Sequence, residues 1–146
     1  MDHVYLDDIE VGLELVSEAR TITAADIGAF AELTGDHNPL HLDPASVVGP
    51  PPYDAPIAHG LLITSISSGQ TTDADDWALG IYLEETRRFV APVFAEDAIR
   101  TVSTVTDVRR SRSKPDRGIV TMRVRVLNQR DELVQEGTDI VLVGCR

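Results

Sequence analysis

With 146 residues, 42% of them hydrophobic, the chain is long enough to bury a real core, and one domain over 1–146 is the default reading. Its 13 basic and 24 acidic side chains leave a net charge of −11, which argues against nucleic acid and anionic membrane surfaces as partners. A phosphate-bearing ligand would need a local basic spot against that field. The only cysteine, Cys145, rules out an intrachain disulfide and fits a reducing compartment. The first residues show neither a basic n-region nor an apolar h-region, so the expected location is cytoplasmic. The longest stretch free of Asp, Glu, Lys and Arg is 55–72. It contains Pro56, His59 and Gln70, and reads as a buried helix and not a membrane span.

In chain order, residues 4–16 mix apolar and acidic positions and predict a lead-in with a short strand. Thr23 and Asp26 have the form of a capping box, and Ile27, Phe30, Ala31 and Thr34 follow at helical spacing. Gly35 stands where a left-handed residue would end that helix, so the first helix is expected over 24–34. Asp43 as N-cap and Pro44 at the first position predict a short helix to about Val48. Residues 49–54, with Pro50, Pro51 and Pro52, read as a stiff loop and flap. A second helix is expected over 58–70. Its apolar and small residues lie all round, which predicts that other structure encloses it. An acidic loop, 71–76, follows.

The remainder reads as β: 79–90, 98–108, 119–127 and 133–143, with turns at 114–118 and 128–131. In the third of these, Val120, Met122, Val124 and Val126 alternate with Thr121, Arg123 and Arg125. Consecutive strands with short turns predict an antiparallel meander and an α+β class, with the sheet wrapped around the enclosed helix.

Chemistry concentrates at 34–41, where Asp36, His37, Asn38 and His41 crowd a bend after the first helix. Pro39 forbids a straight helix there, so the bend can bring Asp36 and His41 around one point. Histidine titrates near neutrality and a partly buried aspartate can be raised towards it, so the pair can hold one water and move its protons. Asn38 can orient either group. The same residues are also good loop chemistry, since Asp and Asn bond locally to the backbone and Pro stiffens a turn. His37 reads as an exposed neighbour, and His3 has no supporting context. No metal-ligand spacing emerges, because Pro39 interrupts the i, i+4 relation of His37 and His41. At the head of the second helix, free N–H groups after His59 and at Gly60 can meet a developing oxyanion; an ordinary helix start is the alternative. Arg87, Arg88, Arg109, Arg110, Arg112, Lys114 and Arg117 form basic clusters. Each is expected on a solvated strand edge or turn, with a phosphate-bearing carrier as the other use.

Three stretches carry a family resemblance. The run 30–44 (FAELTGDHNPLHLDP), the run 56–62 (PIAHGLL) and the run 88–97 (RFVAPVFAED) resemble, in order, the motifs of the MaoC-like, or hydratase 2, (R)-specific enoyl-CoA hydratases. The likeness runs from about residue 20 to the end. It implies a hot dog fold, an antiparallel sheet curled around a long central helix, and a homodimer with sheets side by side. It implies that Asp36 and His41 are the catalytic dyad, that Asn38 supports the site, and that the Gly60 amide binds the thioester oxygen. It implies reversible hydration of a trans-2-enoyl-CoA to the (R)-3-hydroxyacyl-CoA, an acyl-CoA thioester as the partner, and no metal or redox cofactor, coenzyme A being part of the substrate. A thioesterase, a dehydratase on carrier-protein-bound chains, and a catalytically idle acyl-binding subunit are the alternatives within the same fold. One position departs: the family usually has Gly before the Asp of its third motif, where this chain has Glu96 before Asp97, so a local difference in that turn is expected.

Overall fold

Period-two alternation puts one face of β5 (Arg117–Leu127) inside, and Val120, Met122, Val124 and Val126 are all buried. The computed structural model describes residues 3–146; Met1 and Asp2, the start of the span read as one domain, lie outside the described residues. Around β5 stand β1 (Glu14–Val16), β2 (Arg20–Thr21), β3 (Ile81–Phe89), β4 (Ala98–Arg110) and β6 (Leu133–Gly144). All pairs are antiparallel and the order is β1-β4-β5-β6-β3, with β2 also on β4.

That order corrects the meander. Only β4, β5 and β6 follow one another as neighbours, and β3 crosses to the far edge to pair with β6. Residues 90–97 make the crossing along one end of the sheet. Val90 N–H donates to Val134 O at 2.8 Å, Ala58 N–H to Val93 O at 2.7 Å, and Ile22 N–H to Asp97 O at 2.7 Å.

Helix α1 (Ala24–Thr34) has the expected caps. Thr23 Oγ1 accepts from Asp26 N–H, the Asp26 carboxylate accepts from Thr23 N–H, and Gly35 closes the helix at φ 79°. The short helix expected over 43–48 starts as read, with Asp43 as cap and Pro44 first, but is only a 3-10 turn, and a further helix precedes it. Helix α2 is Pro39–Leu42, capped by Asn38, and a separate 3-10 turn spans Pro44–Ser46. Pro39 therefore starts a turn of helix, at the position where its missing N–H costs nothing. Helix α3 (Gly60–Gly69) lies against the sheet. Ile63 and Leu62 pack with Ile22, Ile99, Val126 and Val134 in one apolar cluster. On its polar side Thr64 donates to Gln135 Oε1 at 2.9 Å, and Ser67 and Thr101 hydroxyls lie 2.8 Å apart. The helix is not enclosed all round: Leu61 is 64% exposed, so one flank faces out of the chain.

Arg87 is a second correction. It is not a solvated edge residue: its guanidinium and the Asp139 carboxylate are each 4% exposed and meet at 2.6 Å. Burial pushes the Asp139 carboxyl up from its ordinary value, while Arg87 opposes that rise. Glu96 sits at φ 73°, the left-handed conformation glycine adopts freely, so the turn keeps the shape that a glycine favours and the expected local difference is one of side chain alone.

Candidate active site

Three helix ends converge. Gly35 ends α1 and turns the chain so that Asp36 follows at once. Asp36 Oδ1 accepts from Asn38 N–H at 3.2 Å, and Asn38 Oδ1 accepts from Leu40 N–H at 3.0 Å as the cap of α2. Asn38 is thus spent on local turns that set both Asp36 and the helix carrying His41. These are the loop bonds anticipated for Asp and Asn, and here they coexist with the convergence of Asp36 and His41.

Nδ1 of His41 lies 2.7 Å from Ile57 O. A carbonyl only accepts, so Nδ1 carries the proton and neutral His41 turns its Nε2 lone pair the other way. There the nearest Asp36 oxygen, Oδ2, stands 3.9 Å off, with the His41 side chain 11% exposed and that of Asp36 51% exposed. This gap is too wide for a direct hydrogen bond. A single water bonded to both at about 2.8 Å spans it with an included angle of about 90°, close to a water's own geometry. His37 turns away to Glu32 at 2.8 Å, which raises its pKa above the ordinary value, and it takes no part in this convergence.

Gly60 opens α3, and among the described residues nothing accepts from its N–H. Its carbonyl accepts from Gln135 Nε2 at 2.8 Å and from Thr64 Oγ1 at 3.2 Å. A Cβ at Gly60 would fall 2.6 Å from Cε2 of Phe89, so glycine is required by close approach of that ring. His41, Gly60, Phe89 and Gln135 line one cavity of about 140 Å³, whose other walls include Ile57, Ile63 and Val93. Helix-start N–H groups and apolar walls in one cavity can stabilise a developing oxyanion out of bulk water, and the His41 lone pair at the same cavity can accept a proton.

Two participants were missed by sequence reasoning. Gln135 is a polar residue buried on β6, among Gly137 and Asp139 at alternating positions, and no short-range signal marks it. His59 was read only as part of a helix start, yet its ring contacts both Asp36 and His41. Asp36, His41 and His59 offer ligand-type atoms within 4.8 Å of one another. Nε2 of His59 is occupied by Asp36 O at 3.0 Å, while its Nδ1 meets no partner among the described residues.

The family model described as MaoC like domain matches residues 10–127. The chain belongs to the MaoC-like family. It is 34% identical over 133 residues to a protein of Aeromonas caviae named (R)-specific enoyl-CoA hydratase, covering 91% of this chain and 94% of that one. The crystal structure of a MaoC-like dehydratase from Rhodospirillum rubrum superposes with a TM-score of 0.86 at 30% identity, covering 98% of each chain. A Mycobacterium tuberculosis protein described as a double hotdogfold gives a TM-score of 0.83 at 22% identity, over 99% of this chain and 45% of that one. The MaoC-like chain therefore has the hot dog fold, with α3 as the helix inside the curl. Among the described residues no helix is long and apolar enough to cross a membrane.

Proposed function

We propose that this protein hydrates trans-2-enoyl-CoA reversibly to (R)-3-hydroxyacyl-CoA. The observation that carries the reading is the convergence of His41 and the Gly60 N–H on one cavity, with the Asp36 carboxylate 3.9 Å from His41 Nε2. Asp36 and His41 hold the water. Its oxygen bonds to the β carbon as one of its protons leaves. A proton reaches the α carbon on the same face, so the pair ends with the protons it began with. The two groups work as one coupled unit. Negative charge passes through the thioester oxygen and meets the Gly60 N–H. Asn38 supports the pair through its two turn bonds. Every step runs on the chain's own residues, and the proposal includes no resident metal or redox cofactor.

The partner in this reading is an acyl-CoA thioester, and the assembly is a homodimer. Edge strand β3 pairs only with β6 among the described strands and bears exposed Ile81, Leu83 and Phe89, which supports a second copy lying edge to edge. Light scattering of the purified chain tests it. A cytoplasmic setting belongs to the same proposal, supported by the lone Cys145.

The deciding experiment is a chain-length panel of trans-2-enoyl-CoAs and carrier-protein thioesters, with chiral analysis of product and a free-thiol assay. Intact (R)-3-hydroxyacyl-CoA is the expected product, and release of thiol would mean a thioesterase. Asp36→Asn and His41→Ala should each cut turnover by about 10²–10⁴ in a folded protein. Near-normal hydration by both variants would sink the pair.

A further inference from the structure

His59 is the buried titratable group that the chemistry above leaves without a role. It is 2% exposed and stands at the N-cap of α3, yet its side chain makes no capping bond. Instead the ring reaches back to the exit of α1, where Nε2 lies 3.0 Å from the carbonyl oxygen of Asp36. A carbonyl accepts and never donates, so Nε2 carries the proton and Nδ1 the lone pair. Nδ1 is buried and meets no partner among the described residues. One face of the ring lies on His41, centroid to centroid 3.8 Å with planes 27° apart, and Phe30 meets it edge-on at 5.0 Å. A phenyl ring would fill this space without burying an unpaired nitrogen. What histidine adds is the N–H to Asp36, the only described hydrogen bond to that carbonyl.

We propose that His59 is the positioning residue that sets the Asp36–His41 pair in register with the oxyanion donor. The inference rests on the hydration reading. His59 touches all three parts. Its ring holds the main chain of Asp36 and backs the ring of His41. Its own carbonyl carbon forms the peptide whose N–H belongs to Gly60, and His59 O accepts from Ile63 N–H at 3.3 Å, which ties that peptide to the first turn of α3. The bond joins Asp36 to His59, 23 residues on, and so ties the segment of the acid–base pair to that of the oxyanion donor. The contact with substrate stays with Asp36, His41 and Gly60.

The test uses His59→Gln, His59→Asn and His59→Phe beside wild type and Asp36→Asn. A glutamine amide reaches the place of Nε2; an asparagine amide falls one bond short; phenylalanine keeps the plate and loses the donor. Kinetics on crotonyl-CoA, melting curves and the ¹⁵N–¹H NMR tautomer of His59 are read together. His59→Phe and His59→Asn should lower kcat about 10- to 100-fold with KM within about threefold of wild type and melting close to it, while His59→Gln stays within about fivefold in kcat. The NMR proton should sit on Nε2. Wild-type kcat in His59→Phe, a His59→Gln as slow as His59→Phe, or a proton on Nδ1 would each overturn the proposal. If a variant fails to melt cooperatively, the wild-type tautomer decides. Wild type that turns over no enoyl-CoA overturns the hydration reading itself, an outcome distinct from active wild type with an equally active His59→Phe.

Discussion

Adding one methyl group at Gly60 tests the site where its geometry is tightest. In Gly60→Ala the new Cβ would lie 2.6, 2.8 and 2.9 Å from Cε2, Cδ2 and Cζ of Phe89. Those separations are about 1 Å inside ordinary carbon–carbon contact. Relief comes from swinging the ring, which is 56% exposed, or from backing the helix start away from it. The helix start is tethered, since Gln135 Nε2 holds the Gly60 carbonyl at 2.8 Å. Overpacking costs about 1–3 kcal/mol. Alanine in a helix returns about 0.5–1 kcal/mol relative to glycine. The net loss of stability is thus modest, about 0–2.5 kcal/mol. Activity should suffer more. A shift of about 1 Å in a group that meets the transition state costs about 10²-fold, so kcat/KM for crotonyl-CoA should fall by about that factor. The assay follows loss of the enoyl thioester absorbance, with urea unfolding alongside. Gly60→Ala/Phe89→Ala closes a double-mutant cycle and should recover about tenfold or more over Gly60→Ala, because the overlap is gone. Wild-type kcat/KM in Gly60→Ala, or no recovery on trimming Phe89, would refute the steric argument.

Arg87→Met should cost about 3–5 kcal/mol at pH 8, because it leaves the Asp139 carboxylate buried without its cation. The folded-state pKa of Asp139 is raised by burial, so the stability that protonation restores is full below the ordinary 3.8 and is lost as pH rises through the raised value. Without Arg87 that value climbs further, and the deficit should shrink as urea unfolding is repeated at lower pH; a deficit that grows towards acid would contradict the burial argument. Glu96→Gly should gain about 0.5–1 kcal/mol in the same assay, since Glu96 already holds φ 73°. A loss there would mean that the Glu96 side chain contributes more than the strain it causes.

The parts of the fold that were legible in the sequence are those whose signal is local. The capping pair Thr23 and Asp26, the closing Gly35 and the alternation of Val120, Met122, Val124 and Val126 each depend on residues a few positions apart, and each was found as expected. Strand order is different. Nothing in 81–89 distinguishes β4, the next strand in sequence, from β6, the strand it pairs with. Arg87 reads as solvated because its partner Asp139 is 52 residues away, and only the folded sheet brings carboxylate and guanidinium together. The candidate site divides the same way. Asp36, Asn38 and His41 lie within one bend and were visible as a group. Gly60 was visible as a helix start, and family likeness implied its role. The ring of His59 and the amide of Gln135 act through bonds spanning 23 and 75 residues, for which no short-range pattern exists.

An enolate-like charge has to form inside a molecule whose net charge is −11, so the overall field works against it. The local arrangement answers this at short range. The cavity at Gly60 is walled by Ile57, Ile63, Val93 and Phe89, and apolar walls strengthen a hydrogen bond from a fixed N–H. Helix α3 adds the partial positive charge of its first turn at the same point. Of the nearby carboxylates, Asp36 sits beyond His41 and is half exposed, where water screens it. Of the buried carboxylates, Asp139 is paired with Arg87 and Asp97 accepts from Phe94 N–H and Gln129 Nε2, and neither lines this cavity. Among the described residues no carboxylate lines the cavity, so the Gly60 N–H meets the developing charge with no negative side chain among the cavity walls.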